Sequence, residues 1–307
     1  MPQVGTFARL LGGAQLRDFD YHAPRTLDEA LQLLSTHGET ARVLAGGTDL
    51  MLMLTDRVVA PEQVIDIKNI QELTRFEWGA DGSLTMGAAT LFRTLETDSK
   101  VKTSFPGLAE AASEVGSWQI RNLGTVGGNL CTASPSAEIA PILMALEADV
   151  EIAGSNGRRT VPIGKFHTGV RRTVLEPNEL LMSVTVAAPR GRTGSHYLKL
   201  KEREKMDIAF VGVASVIELE GSDGVVKSAR IALGAVAPTP IRCGEAEATL
   251  KGQRLTDELL HEAGRLAAQA AKPISDVRAS ADYRREMVDV LTRRTLSKAL
   301  EIARGRK

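Results

Sequence analysis

The sequence predicts an α+β fold divided into two units. Two glycine-rich segments lie in the first half of the chain, the first of them after a short apolar run. The texture then changes after Pro177, where four strand-like runs come in succession. Three helical segments with no long strand among them close the chain, and strands followed by helices are the pattern of a separate α+β unit.

Taken in order, Thr26-Leu27-Asp28-Glu29 is a capping box ahead of Ala30, Leu31, Leu33 and Leu34, and Gly38 stops that helix. Arg42 to Ala45 reads as a short buried strand running into Gly46-Gly47-Thr48-Asp49. Val64 to Ile67 and Leu84 to Met86 read as further strands. Pro106 to Val115 forms a helix with proline suited to its first turn. A second glycine loop, Gly124 to Asn129, leads to a helix from about Pro135 to Leu146. Val150 to Ala153 and Thr160 to Ile163 make a hairpin around Asn156-Gly157. Beyond a boundary placed near residues 170–178, the strands are Leu180 to Val186, His196 to Leu200, Ala209 to Leu219 and Val225 to Ala235, with a turn at Ser222-Asp223-Gly224 between the last two. Helices follow at Glu245 to Leu250, at Thr256 to Ala270 and from Ser280 onward. In the last, Tyr283, Met287, Leu291 and Leu300 lie near one stripe.

Composition narrows the function. At 307 residues, 43% hydrophobic and 25% charged, the chain is long enough for two or three domains and too apolar for disorder. Lysine plus arginine equals aspartate plus glutamate, 38 each, so nothing draws it generally to nucleic acid or to an anionic membrane. Cys131 and Cys243 are too few and too far apart for a cysteine-only iron–sulfur or zinc site or for a secreted disulfide framework. The first twenty residues lack the pattern of a signal peptide, and no run reaches the roughly 18 apolar residues of a membrane span. A cytoplasmic protein is expected.

The glycine segments are the candidate chemistry. Gly46 and Gly47 after a strand offer successive backbone amides without Cβ obstruction, and a following helix adds its dipole. This suits a phosphate or diphosphate, with the Thr48 hydroxyl as a further donor. A tight turn in which Thr48 or Asp49 caps the next helix is the alternative. Gly124, Gly127 and Gly128 allow backbone to lie flat against a planar ligand or a diphosphate, with Thr125 and Asn129 as polar edges. Glu138 could accept hydrogen bonds from sugar or polyol hydroxyls, or serve as a helix-dipole carboxylate. Arg121 is either a ligand cation or one half of a salt bridge. Other chemistries lack their signatures. No G-x-G-x-x-G opens a helix, no Walker motif or G-x-S-x-G elbow occurs, and His22, His37, His167, His196 and His261 show no close metal spacing.

Ala45-Gly46-Gly47-Thr48-Asp49-Leu50, and Ile120-Arg121-Asn122-x-Gly124-Thr125-x-Gly127-Gly128-Asn129 followed by Ala133-Ser134-Pro135, resemble the flavoprotein subunits of the molybdenum hydroxylases, the xanthine dehydrogenase and carbon monoxide dehydrogenase family. The resemblance continues in Lys199, Arg203 and Asp207-Ile208-Ala209, in Gly234 to Arg242, and in Ser275-Asp276-x-Arg278-Ala279-Ser280-Ala281-x-Tyr283-Arg284-Arg285. It covers nearly the whole chain in order.

The resemblance implies a two-part FAD-binding domain of the vanillyl-alcohol-oxidase and molybdenum-hydroxylase flavoprotein type over residues 1–175, with subdomains of about 17–60 and 61–175. A C-terminal α+β domain over 176–307 would follow, built of antiparallel strands with helices. It implies that Ala45, Gly46, Gly47, Thr48, Asp49 and Leu50 hold the FAD diphosphate. Gly124, Thr125, Gly127, Gly128 and Asn129 would lie along diphosphate and flavin, and Glu138, where the family usually has aspartate, would bind a ribose or ribityl hydroxyl. Leu181 would touch the adenine or flavin surface, and Lys199 would sit near the isoalloxazine. It further implies a large molybdopterin subunit and a small subunit with two [2Fe-2S] clusters, as a dimer of heterotrimers. FAD would pass electrons to NAD+, oxygen or another acceptor. Gly-Gly-Thr-Asp leans toward xanthine-dehydrogenase-like members. A stand-alone flavin reductase or oxidase, and a flavin-free scaffold subunit, are the alternatives. Residues 1–16 run ahead of the usual start and are expected to be an arm or a partner contact.

Overall fold

A computed structural model describes residues 16–204, 206–221 and 223–306. The expected N-terminal arm lies almost wholly outside them, as does Ser222 of the expected turn. Residues 20–66 build a three-stranded parallel sheet in which Gln63–Asp66 lies between Asp20–His22 and Ala41–Leu44. The helix Leu27–His37 connects the outer two strands. The Thr26 hydroxyl accepts from the Glu29 amide, while the Glu29 carboxylate reaches back to the Arg25 amide. The central strand begins at Gln63, so the first subdomain extends past the expected limit near residue 60.

The second sheet is antiparallel, in the order Phe76–Trp78, Leu84–Gly87, Leu180–Val186, Asp149–Gly154, Gly157–Pro162. Its central strand is the one expected to open the C-terminal unit. All but one of its seven residues are buried. A strand covered on both faces reads as a continuous apolar run, so its pattern does not reveal which sheet it joins. The chain changes unit between Val186 and Arg192, later than the expected boundary near residue 176.

The third sheet, antiparallel, comprises Arg192–Leu200, Val211–Glu220, Val225–Gly234 and Ile241–Arg242. Helices cover both faces. Ala214, Val216 and Ala232 share a core with the first domain's helices Pro106–Ser113 and Ile139–Ala145. Val211, Val213, Ile217 and Leu233 pack with the helices Gly244–Leu250, Asp257–Ala270 and Ala281–Gly305. The two domains thus share one sandwiched sheet.

On the long helix Ala281–Gly305 the buried face runs through Arg284, Val288, Leu291, Thr292, Thr295, Leu296 and Leu300. Leu291 and Leu300 of the expected stripe lie on it and Met287 packs at its edge, while Tyr283 is exposed. Polar residues hid that face in the sequence. Inside the protein two of them are paired: Thr295 with Ser215 at 2.7 Å, and Arg284 with Asp276 at 2.7 Å and with the Phe210 carbonyl at 3.0 Å, while the buried Thr292 hydroxyl has no partner among the described residues. The Asp276 to Arg285 motif therefore carries a fold role, tying the loop before the last helix to the end of the third sheet.

Two outcomes are expected. A Cβ on Gly194 would overlap the Ala299 carbonyl oxygen and lie 2.6 Å from the Ala303 amide nitrogen. Gly194→Ala should therefore push the last helix off the sheet and cost about 1–3 kcal/mol in urea unfolding. The amide of Arg278, with Arg284 and the Ala279 amide, holds the Asp276 carboxyl down at about 2, from an ordinary 3.8. A depressed folded pKa gives stability that is complete above the ordinary value and disappears as pH falls through about 2. Asp276→Asn should flatten the acid limb of the stability profile across that window, and an unaltered limb would remove this contribution.

Candidate functional site

The loop after Ala41–Leu44 and the segment around Gly124 pack directly on each other. A Cβ on Gly46 would overlap the Leu123 carbonyl oxygen and lie 2.9 Å from the Gly124 Cα, so only glycine permits the contact. Gly47 takes a left-handed φ of +74°. The helix Leu50–Thr55 follows, its first-turn Met51 amide donating to the Gly47 carbonyl at 3.0 Å. Neither Thr48 nor Asp49 caps it. Asp49 instead accepts from the Thr132 hydroxyl at 3.0 Å, which ties the loop to the second glycine segment.

That second segment is largely helix: Gly127, Gly128 and Asn129 lie in Val126–Thr132, where a loop is expected. Thr125 is its buried N-cap, its hydroxyl accepting from the Gly128 amide at 3.0 Å. The Val126 amide donates to the Thr90 carbonyl, the Gly127 amide to Ala88 and the Asn129 amide to Thr125. Gly127 is required for this, since a Cβ there would lie 2.6 Å from that of Ala88. Ala88 in turn donates to the Met182 carbonyl, joining the helix to the central strand of the second sheet.

The two glycine segments therefore do different work. The amides of the second are consumed in holding the scaffold. Among the described residues, the amides of Gly46, Gly47, Thr48 and Asp49 donate to nothing, at the start of a helix where positive potential collects. Gly128 lies beside Ala45, and the Asn129 side-chain oxygen is buried with no partner among the described residues. A row of free amides next to an orphaned acceptor fits an anionic ligand that also carries donor groups, as a dinucleotide does.

The other expected residues fall in two places. Glu138 and Lys199 meet: the ammonium donates to Glu138 Oε1 at 2.6 Å and to the Glu114 carbonyl at 3.1 Å. Burial pushes the Glu138 carboxyl up, against the pull of Lys199. Tyr197, two residues before Lys199 on the same face of its strand, is driven well above its ordinary value by burial and by the carboxylates of Glu138 and Glu114. Tyr197 and Glu114 escaped the sequence reading, though a tyrosine and a lysine two apart in a strand must share a face. Leu181 is 1% exposed in the core of the second sheet, so its side chain packs the interior and offers no surface to a ligand. Arg121 is one half of a salt bridge, one of its two expected roles, but inside the protein and not at the surface. It is buried, bidentate to Glu96 at 2.8 and 3.1 Å, and donates to the Val115 carbonyl, clamping the turn ahead of Gly124. Among the described residues, no three histidine, cysteine or acidic side chains are grouped to hold a metal ion, and no helix is long and apolar enough to cross a membrane.

Known proteins match both halves of this architecture. Residues 17–189 match the FAD binding domain in molybdopterin dehydrogenase, and residues 196–299 the CO dehydrogenase flavoprotein C-terminal domain. The chain is 36% identical to the xanthine dehydrogenase FAD-binding subunit of Escherichia coli O157:H7, over 93% of this chain and 97% of that one. It is 38% identical to the carbon monoxide dehydrogenase medium chain of Hydrogenophaga pseudoflava, over 92% and 96%. Among solved structures, a carbon monoxide dehydrogenase from H. pseudoflava superposes with a TM-score of 0.89 at 37% identity, covering 94% of this chain and 99% of that one. Quinoline 2-oxidoreductase from Pseudomonas putida 86 gives 0.88 at 32%, covering 94% and 99%. Fold, glycine cradle and full-length similarity agree: the chain belongs to the family of FAD-binding medium subunits of the molybdenum hydroxylases.

Proposed function

We propose that this chain is the FAD-carrying electron-transfer subunit of a heteromeric molybdenum hydroxylase. The observation that carries the reading is the row of unpartnered amides from Gly46 to Asp49, fixed against Leu123 and Gly124. Ala45 to Leu50 would hold the diphosphate through those amides and the Thr48 hydroxyl. Gly128 and Asn129 would lie along the same ligand, the Asn129 oxygen accepting one of its donors. Gly124, Thr125 and Gly127 support the cradle from beneath. Glu138 would accept from a ribose or ribityl hydroxyl.

When bound, FAD would take electrons from the [2Fe-2S] clusters of a small partner subunit and pass them to NAD+, oxygen or another acceptor, while substrate is hydroxylated at molybdopterin in a large partner. Formation of a dimer of such heterotrimers in the cytoplasm belongs to the same proposal. The substrate pocket would lie in the large partner, and this chain's residues do not define it.

The test is an absorption spectrum of the chain copurified from its host, with the flavin released and identified. FAD near one per chain, together with molybdenum and iron in copurifying subunits, supports the proposal. FAD without partners would favour a stand-alone flavoenzyme, and no FAD uptake by folded protein would leave a scaffold. Gly47→Asp should abolish flavin retention, because it puts a carboxylate on the diphosphate cradle at a left-handed backbone position. Gly46→Ala should also lose flavin, by forcing the loop away from Leu123, with little change in far-ultraviolet circular dichroism. Normal flavin content in both variants would displace the site from this loop.

A further inference from the structure

The resemblance places the Lys199 ammonium against the flavin ring and the residue at 138 on a hydroxyl, as two separate contacts. The structure joins them. Lys199 Nζ donates to Glu138 Oε1 and to the Glu114 carbonyl, using two of its three N–H groups. Its side chain is only 1% exposed, against 11% for Glu138. The lysine is enclosed by protein, and the carboxylate is the member of the pair with surface. Glu138 Oε2 accepts from no other residue among those described, the carboxylate otherwise meeting only its own backbone amide, and the side chain does not cap the helix Ile139–Ala145 that it precedes. A carboxylate held by one oxygen with the other free is oriented and still able to accept.

On the reading of this site as one for FAD, we infer that Lys199 is a positioning residue: it anchors the Glu138 carboxylate from behind, and Glu138 Oε2 is the atom that meets a ligand hydroxyl. The anchor crosses the domain boundary. Lys199 lies on Arg192–Leu200 of the third sheet, while Glu138 and Glu114 belong to the first domain. The C-terminal domain thereby sets the geometry of a ligand contact made by the FAD-binding domain. Of the neighbouring groups, Lys201 pairs with the Glu114 carboxylate and the His196 ring with Glu110 at 2.8 Å, while Tyr197 and the Glu114 carboxylate also lie within electrostatic reach of Glu138, so Lys199 is the one cation among them bonded to it.

The experiment titrates the flavin-stripped full-length chain with FAD by fluorescence and measures the flavin midpoint potential of the loaded protein. It compares the wild type with Lys199→Met, Glu138→Gln and the double variant. Each single change should raise the dissociation constant about tenfold, the loss of one charge-assisted hydrogen bond. The double variant should bind no more weakly than either single one, since both act through one contact, and the midpoint potential should not move. Wild-type affinity in Lys199→Met overturns the assignment. So does a shifted potential at unchanged affinity, the signature of an ammonium touching the ring. Lys199→Met strands a buried carboxylate and Glu138→Gln a buried ammonium, so both single variants are at risk of misfolding. The double variant strands no charge, and wild-type affinity in it is equally decisive. A wild-type chain that takes up no FAD overturns the flavin reading and this assignment together, whereas tight binding by Lys199→Met overturns this assignment alone.

Discussion

The site depends on one close approach, that of Gly46 to the Leu123 carbonyl and Gly124 Cα. Two stretches of chain nearly eighty residues apart touch backbone to backbone there, which no side chain would allow. The contact fixes where the first glycine loop sits, while Asp49 and Thr132 fix its orientation. The second segment can serve as a rigid footing because its own amides are already bonded to Thr90, Ala88 and Thr125. One glycine segment is saturated so that the other can face outward unsaturated. This division of labour accounts for a motif of three glycines in five residues that offers few free donors of its own.

Above this cradle, the third sheet binds the halves of the molecule into one body. Its strand Val211–Glu220 alternates between two cores, one residue facing the first domain's helices and the next facing the C-terminal helices. A sheet used on both faces leaves no plane along which the domains could part without exposing apolar surface. The Glu138–Lys199 pair spans this junction. A buried ion pair adds little net stability but constrains geometry closely, since removing either partner leaves a charge uncompensated.

Local signals were legible in the sequence and partner choice was not. The Thr26 cap bonds as its spacing indicates, Thr256 and Ser280, read as helix starts, are the N-caps of their helices, and Gly154 to Gly157 closes the hairpin around Asn156. Those features are set by neighbours within four residues. Which sheet Leu180–Val186 joins is decided by residues up to a hundred positions away. The burial of Arg284 and Thr295 on the last helix is not visible in that helix's own pattern, because their partners, Asp276, Phe210 and Ser215, lie elsewhere in the chain. The site shows the same division. The glycine segments announced themselves by composition. That Arg121 clamps a turn, that Leu181 fills the core and that Lys199 backs Glu138 are facts of three-dimensional placement.

The position of Leu180–Val186 at the centre of the second sheet bears on how the chain matures as it is made. Until that strand has left the ribosome, Leu84–Gly87 and Asp149–Gly154 must wait with facing, unbonded edges, since each pairs with it and not with the other. Open edges of this kind recruit foreign strands. An expression fragment ended at residue 175, where composition invites a cut, would make that waiting state permanent. The smallest piece that closes the second sheet extends to Val186, and a nascent chain is exposed to mispairing until those residues emerge.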